Sequence, residues 1–228
     1  IDKPGDKPVV KMDTPAGRVT AYGIRENGRI TSISFHNVPS FVYARDQTVD
    51  VPGIGQLRYD VAFGGAFYAF CNAEDLGVNI TRSDFRKLID VGVRVKQAVM
   101  DSLTITHPFE QDLGFLYGTI IVGNAHNPQH HSRNVCIFAD GEVDRCPTGT
   151  GVSARAALHY ARGDIGLNVP FTIESILGTT FTGEVAEIAH FGSYEAVIPR
   201  VTGMAYITGR NELLLDPTDP LRDGFILR

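Results

Sequence analysis

Apolar and polar positions alternate with a period of two through much of the first third of the chain, the spacing that sends successive side chains to opposite faces of a strand. The alternation is clearest over residues 9–12, 18–24, 30–36, 41–44 and 57–63. Turn signals separate these runs at Pro15-Ala16-Gly17, Glu26-Asn27-Gly28 and Pro52-Gly53. Short strands at such regular intervals predict an antiparallel sheet rather than βαβ units. The period then changes. Over residues 81–102, Phe85, Leu88, Ile89, Val95 and Val99 recur at helical spacing, while Lys87, Asp90, Arg94 and Gln97 fall off that face. Thr81 with Asp84 has the form of a capping box, although Glu or Gln is the better partner. Gly92 weakens this helix and Lys96 has to snorkel from its edge. Further strands are predicted over 115–122, 134–138, 169–173, 181–188, 195–201 and 204–207. An Ala-rich helix over 152–161 ends near Gly163. The whole reads as an α+β fold, curved antiparallel sheet with two helices packed on it and no internal domain boundary.

Composition narrows the function classes. The 228 residues carry 21 Lys and Arg against 26 Asp and Glu, a net charge of 21 − 26 = −5. Neither an excess nor a stripe of basic residues is present, which argues against a nucleic-acid partner. No apolar run approaches the roughly 18 residues of a membrane helix, so no membrane association is expected. Three cysteines, Cys71, Cys136 and Cys146, are too few and too odd in number for a disulfide scaffold. A reducing, cytoplasmic compartment is the expectation. With no CxxC pair, a thiolate zinc site is not expected either. The chain starts at Ile1 and its first methionine is Met12, which raises the expectation of a processed or partial chain.

The segment from Phe138 to Gly151 holds the candidate chemistry. A strand ends, Asp144 appears, and a Gly/Thr-rich loop opens a helix. The first helical turn has unpaired N–H groups at the positive end of the helix dipole, and Gly149 and Gly151 let a ligand approach the backbone. Such a loop suits a phosphate or carboxylate. It has neither the P-loop pattern nor the βαβ setting of a dinucleotide fingerprint. A plain strand–turn–helix connection is the competing reading.

Asp144-Arg145-Cys146-Pro147-Thr148-Gly149-Thr150-Gly151, followed by Ser153-Ala154-Arg155, resembles the second active-site motif of the proline racemase family, Asp-Arg-Ser-Pro-Cys-Gly-Thr-Gly followed by Ser-Ala-Arg. Other blocks match in order: Asp13–Gly17, His36–Phe41, Asp60–Ala69 and Asp219–Phe225. The resemblance covers the whole chain. It implies a diaminopimelate epimerase-like fold of two lobes, each a curved sheet around a helix, with the active site in the cleft between them. The family's first motif, Met-Cys-Gly-His, is absent from this chain. The resemblance therefore implies that residues 1–228 are mainly the second lobe, that roughly a hundred residues lie upstream, and that the C-terminal tail returns toward the first lobe. Alone, the chain is expected to be inactive.

Thr148 stands where racemases and epimerases of the family carry one of two facing cysteines. Two-base racemisation needs a group that titrates near working pH, and a threonine hydroxyl does not. β-Elimination needs one base only. Thr148, with Leu116-Tyr117-Gly118-Thr119, resembles the trans-3-hydroxy-L-proline dehydratase branch, a hydro-lyase giving Δ1-pyrroline-2-carboxylate without a cofactor. The alternatives are a 4-hydroxyproline epimerase or proline racemase, which Thr148 opposes, and a non-catalytic binder of cyclic amino acids or other carboxylates. The resemblance further implies that Asp144 pairs the substrate's ring nitrogen and that Gly149 and Thr150 hold its carboxylate. Thr148 either hydrogen-bonds the leaving hydroxyl or fills space. Phe138 walls the apolar side. A small cyclic amino acid is then the ligand, and family habit implies a homodimer.

Other candidates read as structural. Asp60, Gly64, Gly65, Phe67 and Tyr68 form a block whose adjacent glycines suggest a bulge or close approach. Cys71 and Cys136 read as core, and Cys146 is an improbable base. His126, His130 and His131 sit beside Asn127-Pro128 in what reads as a solvated loop, not a metal site. Asn79-Ile80-Thr81 is a glycosylation sequon that means little without a secretion signal.

Overall fold

The computed structural model describes residues 5–224; Ile1 and Phe225, which figured in the sequence reading, lie outside them. In chain order the strands are β1 (Val9–Thr14), β2 (Gly17–Glu26), β3 (Arg29–His36), β4 (Ser40–Val51), β5 (Gly55–Phe63), β6 (Phe67–Asn72), β7 (Leu116–Gly123), β8 (Ser132–Phe138), β9 (Glu142–Val143), β10 (Phe171–Glu174), β11 (Thr180–Phe191) and β12 (Tyr194–Gly203). Helix α1 (Phe85–Ser102) lies between β6 and β7, and α2 (Gly149–Arg162) between β9 and β10. The sheet runs β4-β5-β6-β7-β8-β10-β11-β12 and closes into a ring where Ala196 and Val197 of β12 pair with Phe41 and Ser40 of β4. The other half of β12, Arg200–Gly203, pairs with β3, so β1–β3 extend from the ring as a three-stranded flap.

Helix α2 runs inside this ring. Every residue from Gly151 to Leu158 is buried. Val152, Ala156 and Ala157 pack with Phe171, Ile173, Val185, Val197 and Val201, whereas Ala154 and Leu158 pack with Ala62, Phe70, Ile120 and Cys136. The small side chains are what let strands come so close. A Cβ on Gly151 would sit 2.4 Å from Cδ1 of Ile120, and one on Gly64 would sit 2.2 Å from the Thr150 carbonyl oxygen. Gly163 ends α2 in the left-handed conformation, φ 76°, that only glycine adopts cheaply.

Helix α1 packs on the outside. Strand β5 shows the division: Leu57, Tyr59, Val61 and Phe63 share the cluster that holds Leu88, Val91, Val95 and Val99 of α1, while the intervening Ala62 faces α2. Burying each such side chain contributes roughly 1.5–3 kcal/mol. Gly92, a weak point by propensity, is where α1 meets the sheet; a Cβ there would lie 2.6 Å from Cγ1 of Ile137. Its carbonyl accepts the Thr119 hydroxyl at 2.9 Å. Lys96 snorkels as its position demands, its ammonium donating to the Ala139 carbonyl at 2.7 Å.

The architecture is α+β, with three departures from the sequence reading. First, the sheet is mixed. β6 pairs parallel with β7, and β8 with β10. Each helix carries the chain across to a parallel strand, and a period-two pattern says nothing about strand direction. Second, the helix at 81–102 begins only at Phe85. Residues 82–84 form a 3-10 turn, Thr81 makes no side-chain cap, and Asp84 accepts the Asn79 amide instead. Phe85 is consequently exposed rather than core. Third, residues 204–207 form no strand, and the described residues beyond Gly203 are exposed, Ile207 at 90% and Leu213 at 91%. Among the described residues no helix is long and apolar enough to cross a membrane.

Candidate active site

At the N-terminal end of α2 a pocket of about 360 Å³ is lined by Phe35, Tyr68, Tyr117, Cys136, Phe138, Asp144, Thr148, Gly149 and Thr150. Strand β8 supplies Phe138 and Cys136, the loop after β9 supplies Asp144, and the helix start supplies Thr148 to Thr150. The loop is held by its own backbone and by the barrel. The Asp144 amide donates to the Cys136 carbonyl at 3.2 Å, and the Asn134 side chain donates to the Pro147 carbonyl at 3.1 Å. Asp144 Oδ1 then accepts the Cys146 amide at 3.1 Å, which fixes the carboxylate over the turn.

Thr148 is the unusual residue. Its φ is 68° and ψ 100°. A β-branched residue at positive φ is strained, typically by about 1–3 kcal/mol, and persists only where its surroundings hold it. Here the hold is visible. The Thr148 hydroxyl donates to Asp144 Oδ2 at 2.8 Å, its amide donates to Cys146 Sγ at 3.3 Å, and its carbonyl accepts the Val152 amide at 2.8 Å. Because the hydroxyl goes to Asp144, Thr148 gives α2 no side-chain cap. The first-turn amides of Gly149 and Thr150 are left at the pocket, where the helix dipole favours an anion.

Thr150 has a second polar tie. The Tyr68 phenol and the Thr150 hydroxyl are 2.8 Å apart. Burial pushes the Tyr68 phenol far above its ordinary range, so it stays protonated. With the phenol donating, the hydrogen of the Thr150 hydroxyl is free for an anionic oxygen. The turn at Gly64 and Gly65 presses on the same helical turn: Gly65, at φ +105°, would place a Cβ 3.1 Å from Thr150 Cγ2. The Asn37 side chain links that turn to the helix, donating to the Gly64 carbonyl at 2.7 Å and the Ser153 hydroxyl at 2.9 Å. The glycine block and His36–Phe41 thus position the helix start. Asp60 lies elsewhere, bonded to the Asp46 amide and to Arg162.

The apolar wall is aromatic. Tyr117 stacks on Phe138 with ring centres 5.5 Å apart, and Tyr68 meets Tyr117 edge-on at 5.9 Å. Gly118 lies opposite Phe138 in the ladder and makes room for it. Phe35, from the flap, lies over Gly149, 3.0 Å from where a Cβ would be.

The structure brings all five sequence candidates, Thr148, Asp144, Gly149, Thr150 and Phe138, into one pocket. Sequence reasoning gave no pocket role to Phe35, Tyr68 or Cys136; all are far apart in sequence, and only pairing and register bring them together. Cys136 does not read as a base, since burial raises its thiol well above the usual range. Cys146 is pushed up to about 11, by burial and then by Asp144, so it too stays a neutral thiol near pH 7. The histidine loop differs in part from the solvated loop expected. His126 and His131 are exposed, but Glu174 draws the loop in, accepting the amides of His126 and Asn127 at 3.0 and 2.9 Å and meeting His130 Nδ1 at 2.9 Å. Among the described residues no cluster of His, Cys, Asp or Glu could hold a metal ion.

A closed α+β barrel thus brings a carboxylate, a strained hydroxyl and a helix N-terminus to one small pocket, a set of groups able to take a compact molecule with both a cation and an anion. The proline racemase family model matches residues 2–226, and the chain belongs to that family. It is 46% identical over 228 residues to a trans-3-hydroxy-L-proline dehydratase of Colwellia psychrerythraea (100% of this chain, 64% of the relative). It is 45% identical over 222 residues to the human trans-3-hydroxy-L-proline dehydratase (96% and 63%). The chain therefore spans just under two thirds of the length of these relatives. The crystal structure of a hydroxyproline epimerase from Agrobacterium vitis with bound trans-4-hydroxy-L-proline superposes with a TM-score of 0.90 at 31% identity, covering all of this chain and 65% of that one.

Proposed function

We propose that this pocket is the substrate-clamping half of a hydro-lyase that converts trans-3-hydroxy-L-proline to Δ1-pyrroline-2-carboxylate and water, a reaction that calls for no cofactor. One observation carries the reading. Thr148 occupies the position of a family thiol, and its hydroxyl, already bound to Asp144, does not titrate near neutral pH, so this position supplies no second acid–base thiol. The names of the similar dehydratases support the same reaction.

The residues divide the work by charge. Asp144 pairs the ring ammonium, a charge-assisted contact. The amides of Gly149 and Thr150, with the Thr150 hydroxyl, take the carboxylate. As a base removes the α-proton, electron density moves into that carboxylate, and the same donors stabilise the developing enolate. The electron pair then expels the hydroxyl from the neighbouring carbon, which leaves as water with the proton the base has taken, and the resulting enamine tautomerises to the cyclic imine. Thr148, whose own hydrogen goes to Asp144, is assigned as an acceptor for the substrate's hydroxyl. Phe138 and Tyr117 exclude water from the ring face. The base is a cysteine supplied from outside residues 1–228.

The same proposal makes these residues mainly the second of two lobes. The exposed Tyr206, Ile207, Leu213, Leu214 and Leu215 are apolar enough to pack against the first lobe. It also takes the enzyme to be a cytoplasmic homodimer.

The test is an assay of the full-length natural protein. It is incubated with trans-3-hydroxy-L-proline while imine formation is followed, with trans-4-hydroxy-L-proline and L-proline in parallel by optical rotation. Imine from the 3-hydroxy substrate alone is the expected result. Rotation change without imine would replace the proposal with an epimerase or racemase, and binding with neither would leave a carboxylate binder.

A further inference from the structure

Helix α2 carries a second polar feature that the pocket at its N-terminus does not use. Arg155 is 4% exposed, and its Nη1 has no hydrogen-bond partner. Its Nη2 lies 3.2 Å from Nε2 of His159. His159 is no counter-charge. Its Nδ1 is bonded to Asp164 at 3.1 Å, and burial first, then Arg155, push the ring down to about 4, so it is a neutral imidazole accepting from the guanidinium. Among the described residues no carboxylate makes an ion pair with Arg155, and burial pulls its guanidinium down to about 10, which still leaves it charged at neutral pH. A buried cation without a partner costs several kcal/mol, and folded proteins pair such groups. Water satisfies N–H groups but supplies no charge.

Beside Arg155 is a cavity of about 120 Å³, lined also by Arg58, Asp60, Asn72, His159 and Arg162. Three arginines thus line it against the one acidic residue Asp60, which Arg162 already pairs at 2.9 Å. The cavity adjoins a wider polar groove, which Arg155 and His159 line as well. None of these residues lines the pocket at the helix N-terminus. A space of this size holds roughly four waters, or one small ion.

We propose that this cavity is a second binding site, for a compact oxyanion of the size of inorganic phosphate or a small carboxylate. The ion supplies the charge that Arg155 lacks and ties the middle of α2 to β5 and β6. The site is a linkage device: it binds the folded barrel and not the unfolded chain, so its occupant raises stability.

The experiment is thermal unfolding of the full-length natural protein in a buffer free of phosphate and chloride. Inorganic phosphate is titrated in one arm and acetate in the other. A saturable rise in Tm is expected, about 2 °C at ten times the apparent Kd, and it should disappear in Arg155→Met. A rise with phosphate alone assigns the site to tetrahedral oxyanions, and a rise with acetate alone assigns it to carboxylates. The absence of a saturable rise with either ion, or an undiminished rise in Arg155→Met, would overturn the proposal. Should that variant not fold, crystals of the wild-type protein soaked in selenate decide. An anomalous peak within hydrogen-bond reach of Arg155 supports the site, and selenate bound elsewhere only refutes it.

Discussion

The two helices of this barrel bury themselves in opposite ways. Helix α1 lies outside the ring of strands and is amphipathic: Leu88, Val91, Val95 and Val99 go to the core while Arg86, Lys87 and Asp90 stay in water. Helix α2 lies inside and has no wet face over Gly151–Leu158, so its sequence is small and mixed rather than striped. An outer helix can be stabilised by size, since bulk on its inner face buries area. An inner helix is limited by space, since strands approach it from every side. That limit is also what makes α2 useful. Its first turn cannot shift without moving the barrel, so Asp144, Thr148 and Thr150 sit on a rigid support.

Substituting the glycine on which each helix rests gives the sharpest contrast. Gly64→Ala would drive a Cβ into the Thr150 carbonyl and the Ala154 amide, at 2.2 and 2.5 Å. Neither backbone group can yield, so a loss of about 3 kcal/mol or more is expected. The molecules that do fold should also show a lower kcat/KM, because Thr150 is displaced. The three atoms nearest a Cβ at Gly92→Ala all belong to the Ile137 side chain. This substitution should cost about 1–3 kcal/mol, with kcat/KM per folded molecule unchanged. Equal loss of kcat/KM in both variants, measured with active-site-normalised rates, would erase the distinction between a supporting helix and a site-bearing one.

The parallel crossings that flank the helices differ too. The one across α2, from β8 to β10, ends on Glu174, which is 3% exposed and bonded to Arg133 Nε at 2.9 Å. Burial pushes this carboxyl up, but the amides of Asn127 and His126 and the side chains of His130 and Arg133 more than reverse that, bringing it down to about 2 from an ordinary 4.5. Its folded value lies below its unfolded one. The associated stability, on the order of 3 kcal/mol, is therefore full above about pH 4.5 and lost as pH falls toward 2. Urea unfolding of the wild type and of Glu174→Gln should differ clearly at pH 6 and converge near pH 2. A constant gap would mean that Glu174 acts through packing and not through its charge. At the small end, Phe85→Ser on the exposed first turn of α1 should change stability by less than about 0.5 kcal/mol. A larger loss would place Phe85 in the core that helical periodicity assigned to it.

These contrasts also explain what could be read in advance. The stripe on α1 was visible as Leu88, Val95 and Val99, and the alternating strands were visible because one face of each is polar. Strand β6 has no such alternation. Phe67 to Cys71 are buried on both faces, so nothing in the pattern separates it from the preceding strand. The pairing of β6 with β7 and of β8 with β10 depends on where each helix returns the chain, which no local pattern encodes. The site was legible where its residues are contiguous, from Asp144 to Thr150, and as Phe138 just before them. Phe35, Tyr68 and Cys136 reach the pocket from three separate strands, and their side chains look like ordinary core. The strain at Thr148 was also invisible, since a positive φ leaves no mark on a threonine. The Arg155 cavity went unseen because a single arginine in an Ala-rich helix gives no sign of whether a carboxylate awaits it.

The most direct test of the site is Thr148→Cys in the full-length natural protein, assayed in deuterated water with L-proline and trans-4-hydroxy-L-proline. A thiol there restores the second acid–base group. Deuterium should then appear at the α-carbon together with inversion of configuration, and the parent protein should show no inversion. If the variant still dehydrates trans-3-hydroxy-L-proline but inverts neither substrate, Thr148 does not mark the choice between elimination and racemisation, and the role assigned to it is wrong.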